Sequence, residues 1–452
     1  MLAVAEAKRA PDPPGPKGTL LAGSNREFAK RRLPFLLELA HVYGPVVGFR
    51  LGPRKVVLVS EPSLIEQILV TDAKRYIKHF GARAYKVLLG NGLVTSEGEL
   101  WREQRRLIQP AFHKTPVQAY ASDMSALAAQ MLERWQPGQR IDVHGEFTSL
   151  AGWIALKTLF GLDNPGDQTH FASNLRIAVD LVNARLRALL KFPYWMPTPA
   201  NRRLKRLAGE LFQIADRFIE ESTARSEDTS NLISSLVRLA GKQGTSMSTA
   251  QLRDEAMTLY ISAHETTALG LTWTWYLLSR HPEAEQKLVA EWGTVLDGRN
   301  PVASDLSALP YTMAVIAESL RLYPPVPLVG REATDDVELG GFRVRRGGTI
   351  LISPWVCHRD PSRFPDPEAF RPERWTVGLA HDLHRFAYIP FGGGPRVCIG
   401  RNFALTEIAL VLATLGQRYR FTTEDGETVG INPQITLQPA RRIHARLQPR
   451  TP

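Results

Sequence analysis

Cysteine is nearly absent from this chain, with only Cys357 and Cys398 among 452 residues. Two cysteines cannot build the framework of several disulfide bonds that holds small secreted proteins together. A single bridge between them is conceivable, but one bridge would add little to a chain of this length. We therefore expect two free thiols and a reducing compartment, the cytoplasm.

Long apolar runs are also missing. A transmembrane helix needs about 20 mostly apolar residues in a row, and no such window occurs, so we predict no membrane anchor. Residues 1–9 are too short and too charged for a secretory signal peptide. Because the sequence shows neither an internal repeat nor a linker, we predict a flexible N-terminus over residues 1–10 and a single domain over residues 11–452.

Acidic residues are outnumbered, since 45 aspartates and glutamates face 56 lysines and arginines, which gives a net charge of +11. A basic protein can bind nucleic acid, an anionic membrane or an acidic protein. The basic residues are dispersed, and no nucleic-acid-binding motif accompanies them. The charge pattern therefore argues against nucleic acid and favours an acidic protein partner.

Helical periodicity dominates the sequence. The longest helical pattern starts at the capping sequence Ser248-Thr-Ala-Gln and ends near Arg280, ahead of His281-Pro282. Two β-branched stretches, residues 46–51 and 55–60, flank Gly52-Pro53 and predict a hairpin. Residues 76–98 have no steady period and are predicted to form a long, partly mobile loop.

Further helices are predicted over residues 35–43, 62–70, 100–109, 117–135, 147–160, 171–190, 201–222, 282–296, 311–322 and 399–419, and β-like patterns over residues 326–352 and 435–437. The predicted fold class is mainly α with small β-sheets.

Residues 391–400, Phe-Gly-Gly-Gly-Pro-Arg-Val-Cys-Ile-Gly, combine three consecutive glycines with a proline and a cysteine. The glycines let the backbone lie where a Cβ atom would clash, and apolar residues at helical spacing follow Cys398. Cys398 is thus predicted beside a helix N-terminus, whose N–H groups and partial positive charge favour a thiolate. A thiolate is a strong iron ligand, and Arg396 could reach an anionic edge of a flat cofactor. If Cys398 is considered without its neighbours, it could equally be a buried structural cysteine.

The spacing Phe391-x-x-Gly394-x-x-x-Cys398-x-Gly400 resembles the haem-binding signature of the cytochrome P-450 family, the haem-thiolate monooxygenases. The resemblance implies that Cys398 is the axial ligand of the iron of haem b, and that Phe391 and Arg396 contact this cofactor. It also implies the cytochrome P-450 fold, with the haem between a long central helix and the loop and helix that carry the cysteine. Without a predicted anchor, the chain resembles the soluble, bacterial-type members.

The stretch Ser262-Ala-His-Glu-Thr-Thr267 lies in the middle of the long helical pattern. Adjacent threonines are unfavourable there because their hydroxyls compete for backbone carbonyls; a solvated polar face or a functional role would explain them. The stretch resembles the family's Ala/Gly-Gly-x-Asp/Glu-Thr-Thr motif, which implies that Glu265 and Thr266 relay protons to dioxygen. The motif's second glycine is Ala263 here, and its methyl group would narrow the groove beside the haem.

Trp101 and Arg105 are one helical turn apart and could bind a carboxylate together, although an ordinary basic amphipathic helix has the same pattern. They resemble the family's Trp-x-x-x-Arg pair, which binds a haem propionate. Arg331, by its position after Pro324-Pro325, and Arg396 are implied as further propionate contacts.

Glu318 and Arg321 lie three residues apart on one predicted helix. As a surface ion pair they would contribute less than about 1 kcal/mol. They resemble the family's Glu-x-x-Arg motif, and Arg374 resembles its later Pro-x-Arg partner. The resemblance implies a buried network of these three residues that fixes the loop holding Cys398.

The implied function is insertion of one oxygen atom from O2 into a C–H or C=C bond of a hydrophobic lipid, terpenoid, steroid or polyketide. Electrons from NAD(P)H would arrive through a ferredoxin or flavodoxin with its reductase, and the enzyme would be a monomer. The basic residues expected to face that partner are Arg105, Arg106, Lys114, Arg396 and Arg401. The substrate pocket is expected to draw on residues 76–98, 192–196 and 326–329, on Ala263 and Thr267, and on the turn near Ile435. Two alternatives stay open: a haem enzyme that uses peroxide or rearranges its substrate without a reductase, and a haem sensor without catalysis.

Overall fold

The structure is a computed structural model in which the chain forms two compact units. The described residues are 10–163, 168–187, 192–224, 231–242, 247–376, 382–424 and 428–450. The first unit comprises Met1–Gly81, Val326–Glu368 and Leu383–Cys398, and the second comprises Ala82–Pro325, Ala369–Asp382 and Ile399–Pro452. The predicted flexible N-terminus lies outside the described residues except for Ala10, and the single domain over residues 11–452 stays a prediction.

Helices predominate among the described residues, and the strands are short. The helices are α1 (Asn25–Tyr43), α2 (Pro62–Glu66), α3 (Phe80–Arg83), α4 (Lys86–Leu89), α5 (Gly98–Ile108), α6 (Lys114–Arg134), α7 (Val143–Ala155), α8 (Gln168–Arg187), α9 (Pro199–Ala224), α10 (Leu232–Lys242), α11 (Thr249–Arg280), α12 (Pro282–Leu296), α13 (Pro310–Leu322), α14 (Pro354–Cys357) and α15 (Arg401–Gly416). The strands are β1 (Val46–Leu51), β2 (Arg54–Val59), β3 (Tyr76–Lys78), β4 (Arg140–Asp142), β5 (Val329–Ala333), β6 (Val337–Leu339), β7 (Phe342–Val344), β8 (Thr349–Ile352), β9 (Ile431–Pro433), β10 (Leu437–Pro439) and β11 (His444–Arg446). None of the helices within the described ranges is both long enough and apolar enough to cross a membrane.

The first unit is built on a five-stranded sheet in the order β1-β2-β8-β5-β3, in which only β2 and β8 are parallel neighbours. Leu51 pairs with Arg54, so β1 and β2 form the predicted hairpin. Gly52, in the turn between them, has a φ of +59°, a conformation that glycine adopts without strain. The last four residues of β2 are buried, and they contribute to the core of this unit.

The second unit is organised around α11. Its N-terminus is where the capping sequence predicts it, because the Ser248 hydroxyl accepts a hydrogen bond from the Gln251 backbone N–H at 3.2 Å. It ends ahead of Pro282, whose ring disfavours helical conformation in the preceding residue. Helix α11 packs against α7, α9, α13 and α15, and its C-terminal half is almost entirely buried.

Two sequence predictions about local structure are wrong, and one helix was missed. Residues 76–98 contain β3, α3 and α4 instead of one long loop; such short elements carry no readable period, and β3 exists only by pairing with the distant β5. Helix α10 was not expected. Helix α1 starts ten residues before the predicted position 35. Pro34 interrupts the helical pattern in the sequence, and Arg31 has non-helical backbone angles in the structure.

A carboxyl group is buried in α15 without a charge partner in the part of the chain that the structure describes. Glu407 is 1% exposed, and its Oε1 atom has no hydrogen-bond partner among the same residues. Burial disfavours the charged form and raises the pKa of Glu407 well above its usual value. The folded protein therefore retains a proton at a pH where the unfolded chain has released it, and this group makes stability fall as the pH rises above its ordinary pKa.

Replacing Glu407 with methionine removes that proton uptake. We expect the free energy of unfolding of Glu407→Met relative to wild type to increase by about 1.4 kcal/mol per pH unit from about pH 5 upward, measured by urea unfolding at several pH values. Glu99→Gln, at a side chain that is 85% exposed, is the control and should give a difference that stays flat. Parallel pH curves for wild type and Glu407→Met would contradict the prediction.

Candidate active site

In the first unit, residues 391–398 form a loop that ends at Cys398. The backbone N–H of Cys398 donates to the carbonyl oxygen of Phe391 at 2.9 Å, so the two ends of the predicted signature meet. Between them, Gly394–Arg396 form a 3-10 turn. The structure thus brings Phe391, Arg396 and Cys398 into one loop, as the spacing of the signature predicts.

Two glycines in this loop occupy positions where a side chain would not fit. Gly394 has a φ of +68°, and a Cβ atom there would lie 1.9 Å from the backbone oxygen of Leu69. A Cβ atom on Gly393 would lie 2.4 Å from the ring of Phe386. Since atoms at these separations overlap, the loop can approach its neighbours this closely only with glycine.

The two cysteines differ in accessibility. Cys398 is exposed, whereas Cys357 is buried at the end of α14, and neither forms a disulfide bond. Burial raises the pKa of the Cys357 thiol to about 12, so this residue stays protonated. Only Cys398 therefore offers an accessible sulfur to a ligand, and Cys357 is the packed thiol.

A buried histidine supports the segment before the glycine loop. His358 is fully buried, and its Nε2 atom accepts a hydrogen bond from the backbone N–H of Ile389 at 2.9 Å. Nε2 is therefore unprotonated and the ring is neutral, with its proton on Nδ1. The sequence assigned no role to this residue, because its partner lies 31 positions away.

Strand pairing places a second cation beside Arg331. On β5, Arg331 is half-buried and lies directly opposite Lys78 of β3, which is 9% exposed. Directly opposed residues share one face of a sheet, and two cations on one face can bind an anionic group. Sequence reasoning missed Lys78 because it placed this residue in a loop.

In the second unit, the predicted acid and alcohol of α11 have separate partners. The Thr266 hydroxyl donates to the backbone oxygen of Ser262 at 2.6 Å. The Glu265 Oε1 atom accepts from the Gln438 side-chain amide at 2.8 Å and from the Thr436 hydroxyl at 3.5 Å. The carboxylate and the hydroxyl are adjacent in sequence, and each is held by a different part of the chain.

The same helical turn contains Ala263 and Thr267. Ala263 is half-buried, so its methyl group occupies space that the family's glycine would leave open. Thr267 is 1% exposed, and its hydroxyl oxygen has no hydrogen-bond partner among the described residues. A buried polar atom of this kind is uncommon in folded proteins and marks a place where a bound molecule or water can be accommodated.

Two buried histidines lie close to Glu265. His264 stacks on Tyr260, with ring centroids 5.4 Å apart. The Thr272 hydroxyl donates to Ala268 O at 2.6 Å, so its oxygen accepts from Nδ1 of His144 at 3.2 Å. Burial lowers the pKa of both histidines, which are therefore neutral near pH 7. The sequence singled out neither of them.

Helix α5 presents Trp101 and Arg105 one turn apart, both half-buried. The Arg105 Nε–H donates to the Gln109 side-chain oxygen at 3.0 Å. The relative placement expected of a Trp-x-x-x-Arg pair is therefore present. The role of the pair in binding a propionate stays a prediction.

Glu318 is the centre of a buried polar network in the second unit. Its carboxylate accepts two hydrogen bonds from Arg321 at 2.8 and 2.9 Å and one from Arg374 at 2.9 Å. It also accepts from the backbone N–H of Arg371 at 3.0 Å and from the Trp375 indole at 2.9 Å. The predicted network is confirmed, and these bonds fix the segment around residues 369–375 to α13. Whether it also fixes the loop that carries Cys398 stays a prediction.

Several known proteins are similar to this chain. The model of the cytochrome P-450 family matches residues 13–445. Cyclooctatin synthase of Streptomyces melanosporofaciens is 38% identical over 93% of this chain and 92% of that protein. Cyclooctat-9-en-7-ol 5-monooxygenase of the same organism is 37% identical over 94% of both chains. Pentalenene oxygenase of Streptomyces avermitilis is 33% identical over 97% of both chains.

Solved structures with the same fold include the haem domain of cytochrome P-450DA. Its TM-score is 0.87 at 25% identity, over 98% of this chain and 99% of that chain. The retinoic acid bound cyanobacterial CYP120A1 has a TM-score of 0.85 at 24% identity, over 97% of this chain and 100% of that chain. The predicted fold is therefore confirmed.

Removing the Glu318 carboxylate leaves two buried guanidinium groups without their anion. We expect Glu318→Ala to lower the free energy of unfolding by about 3–5 kcal/mol, measured by urea unfolding. Glu424→Ala is the matched control, because Glu424 also binds two arginines, Arg140 and Arg446, but is partly exposed to solvent. That control should lose far less stability, because solvent screens its ion pairs, and equal losses would contradict the prediction.

Proposed function

The chain belongs to the cytochrome P-450 family, and on that premise we propose that it oxygenates a terpenoid, with Cys398 as the axial ligand of haem b. Family membership makes the chain a haem-dependent monooxygenase that acts on a hydrophobic substrate. The assignment of the ligand rests on one observation: the exposed thiol of Cys398 ends a loop that only glycines allow.

The donor set of the first unit fits a haem. Cysteine sulfur is a soft donor that suits iron, and Cys398 is the accessible one of the two thiols. The paired Lys78 and Arg331 add positive charge for the carboxylates of a porphyrin. Bound haem would supply the activation of dioxygen, with electron donation from the thiolate favouring O–O cleavage.

Six further residues are assigned to holding the cofactor. The planar guanidinium fork binds a carboxylate through two parallel hydrogen bonds, and an indole N–H adds a single donor. The residues assigned to the propionates are Trp101, Arg105, Arg331 and Arg396. Phe391, next to the glycines, and Ala263, on α11, are assigned to contact with the ring.

Glu265 and Thr266 are assigned to proton delivery. The Thr266 hydrogen is held by Ser262 O, so the lone pairs of its oxygen are available to orient a donor such as water. Gln438 and Thr436 both engage Oε1 of Glu265, which leaves Oε2 to carry the transferable proton. A positioned carboxyl group can exchange this proton with solvent and pass it on. This pair favours oxygen activation over the peroxide-driven and sensor alternatives.

The terpenoid substrate class is supported by the similar proteins. The names of two of them specify cyclooctat-9-en-7-ol and pentalenene. Insertion into a C–H or a C=C bond is proposed for this chain. Titration of the purified protein with these two compounds, followed by the Soret band, tests the substrate class; the absence of any shift with either compound would count against it.

Electrons are proposed to come from NAD(P)H through an acidic ferredoxin or flavodoxin and its reductase. In the second unit, Arg106 at the end of α5 and Lys114 at the start of α6 are exposed, and positive charge attracts an acidic partner over long distances. We also propose a monomer in the cytoplasm, where reducing conditions keep Cys398 available as a thiol.

The ligand assignment has a matched control within the chain, because the only other cysteine is Cys357. We expect Cys398→Ser to lose the thiolate signature in the absorption spectrum of the reduced carbon monoxide complex, together with NAD(P)H-driven turnover. Cys357→Ser should keep both and lose only about 1 kcal/mol of stability. A thiolate signature that survives in Cys398→Ser, or an imidazole-type spectrum in the wild type, would overturn the assignment.

Charge reversal tests the partner surface. Arg106→Glu and Lys114→Glu should each slow reduction by a ferredoxin about tenfold at low salt, measured by stopped-flow absorbance. Arg203→Glu, an equally exposed position on α9, should leave the rate near that of the wild type. The proposal fails if the three variants are reduced at the same rate, or if the loss does not shrink as salt is added.

A further inference from the structure

The carboxylate of Glu265 is held by a strand that lies far from α11 in the sequence. The Gln438 side-chain N–H on β10 donates to Glu265 Oε1 at 2.8 Å, and the Thr436 hydroxyl donates to the same oxygen at 3.5 Å. An amide that donates to a carboxylate makes a stronger bond than one between neutral groups. Gln438 therefore sets the direction in which this carboxylate points.

Strand β10 is itself fixed on both sides. The Trp273 indole N–H, on α11, donates to the backbone oxygen of Leu437 at 2.8 Å, and the backbone N–H of Leu437 donates to Pro325 O at 2.9 Å. Trp273 is fully buried and stacks on Tyr323, with centroids 4.2 Å apart. The residue next to Gln438 is thus tied to the same helix that carries Glu265.

The turn before β10 is connected to two other parts of the second unit. The Tyr85 hydroxyl, between α3 and α4, donates to the Asn183 side-chain oxygen on α8 at 2.8 Å. The Asn183 amide then donates to the Gln434 side-chain oxygen at 2.7 Å. The Gln434 backbone N–H donates to Thr436 O at 3.0 Å. A continuous hydrogen-bond chain therefore runs from Tyr85 to the turn that adjoins Gln438.

We propose that Gln438 is a positioning residue for Glu265. The hydrogen-bond chain Tyr85–Asn183–Gln434 makes the position of the Glu265 carboxylate depend on the conformation of the turn of residues 434–436. The proposal deepens the proposed function and rests on it, because Glu265 is the assigned proton donor. A substrate that moves the turn or α8 would shift Gln438 and, through it, the acid. Proton delivery is thereby linked to correct occupation of the region around this turn.

The neutrality of Gln438 matters for this role. Glu265 interacts electrostatically with His144 of α7 and His264 of α11, and burial keeps both histidines neutral near pH 7. Asp142 and Arg176 act in turn on His144. An amide holds the carboxylate without adding charge, whereas a cation would strongly favour its ionised form and make it a poorer proton donor.

Three variants of the haem-loaded protein test the proposal, with cyclooctat-9-en-7-ol as the probe and a ferredoxin and its reductase as electron source. Gln438→Met keeps the length of the side chain but removes the N–H donor. Gln438→Lys keeps a donor and adds a charge. Gln417→Met is the control, an identical change at the end of α15.

We expect Gln438→Met to lower the product formed per NAD(P)H consumed about tenfold, with the KM of the probe unchanged and Gln417→Met like wild type. Gln438→Lys keeps a donor but adds a cation, which favours the ionised carboxylate, so the product formed per NAD(P)H consumed should also fall below the wild-type value. A crystal structure of Gln438→Met should show the Glu265 carboxylate turned away from β10. This readout requires no activity.

A wild-type ratio of product formed to NAD(P)H consumed in Gln438→Met or in Gln438→Lys, or an unmoved Glu265 in the crystal, would each overturn the proposal. Glu265→Gln and Thr266→Ala distinguish failure of the positioning role of Gln438 from failure of the proton pathway itself. If these two variants form less product per NAD(P)H consumed and Gln438→Met does not, the inference fails and the proposed proton pathway stands. If these two variants also form as much product per NAD(P)H as wild type, the proton pathway itself is wrong. If the probe is not turned over, the position of Glu265 in the crystal structure decides the inference.

Discussion

The buried carboxylate of Glu318 is the constraint on which the second unit depends. Removing two guanidinium groups and one carboxylate from water is costly, and the cost is offset only when every donor meets an acceptor. Glu318 meets that condition with Arg321, Arg374, the Arg371 backbone and the Trp375 indole. Because a partly satisfied network of this kind would be unstable, α13 and residues 369–375 are held in one arrangement.

The first unit reaches comparable rigidity around its thiol with backbone groups. The backbone N–H of Cys398 donates to the Phe391 oxygen, and the backbone N–H of Ile389 donates to His358. Gly394 brings the loop against a backbone oxygen, where a side chain would overlap. An exposed sulfur on an otherwise fixed loop can meet a ligand without reorganisation of the protein.

Sequence reasoning was most successful where chemistry and conformation are local. The hairpin of β1 and β2 depends on a two-residue turn, and the start of α11 depends on a cap one turn away. Residues that belong to short motifs, such as Cys398 with its glycines or Glu318 with Arg321, are also found this way. Residues such as Lys78 and His358 were missed, because neither has a meaning until its distant partner is known.

The amino-acid order alone was enough to establish the family resemblance, the helical class and the candidate residues, since motif spacing and periodicity are properties of neighbouring positions. It could not establish which partners those residues have. Glu265 pairs with a glutamine 173 positions away, and Arg331 lies opposite Lys78 across two strands. Such partnerships follow from packing and strand register, which arise from the burial of the whole core and leave no local pattern in the sequence.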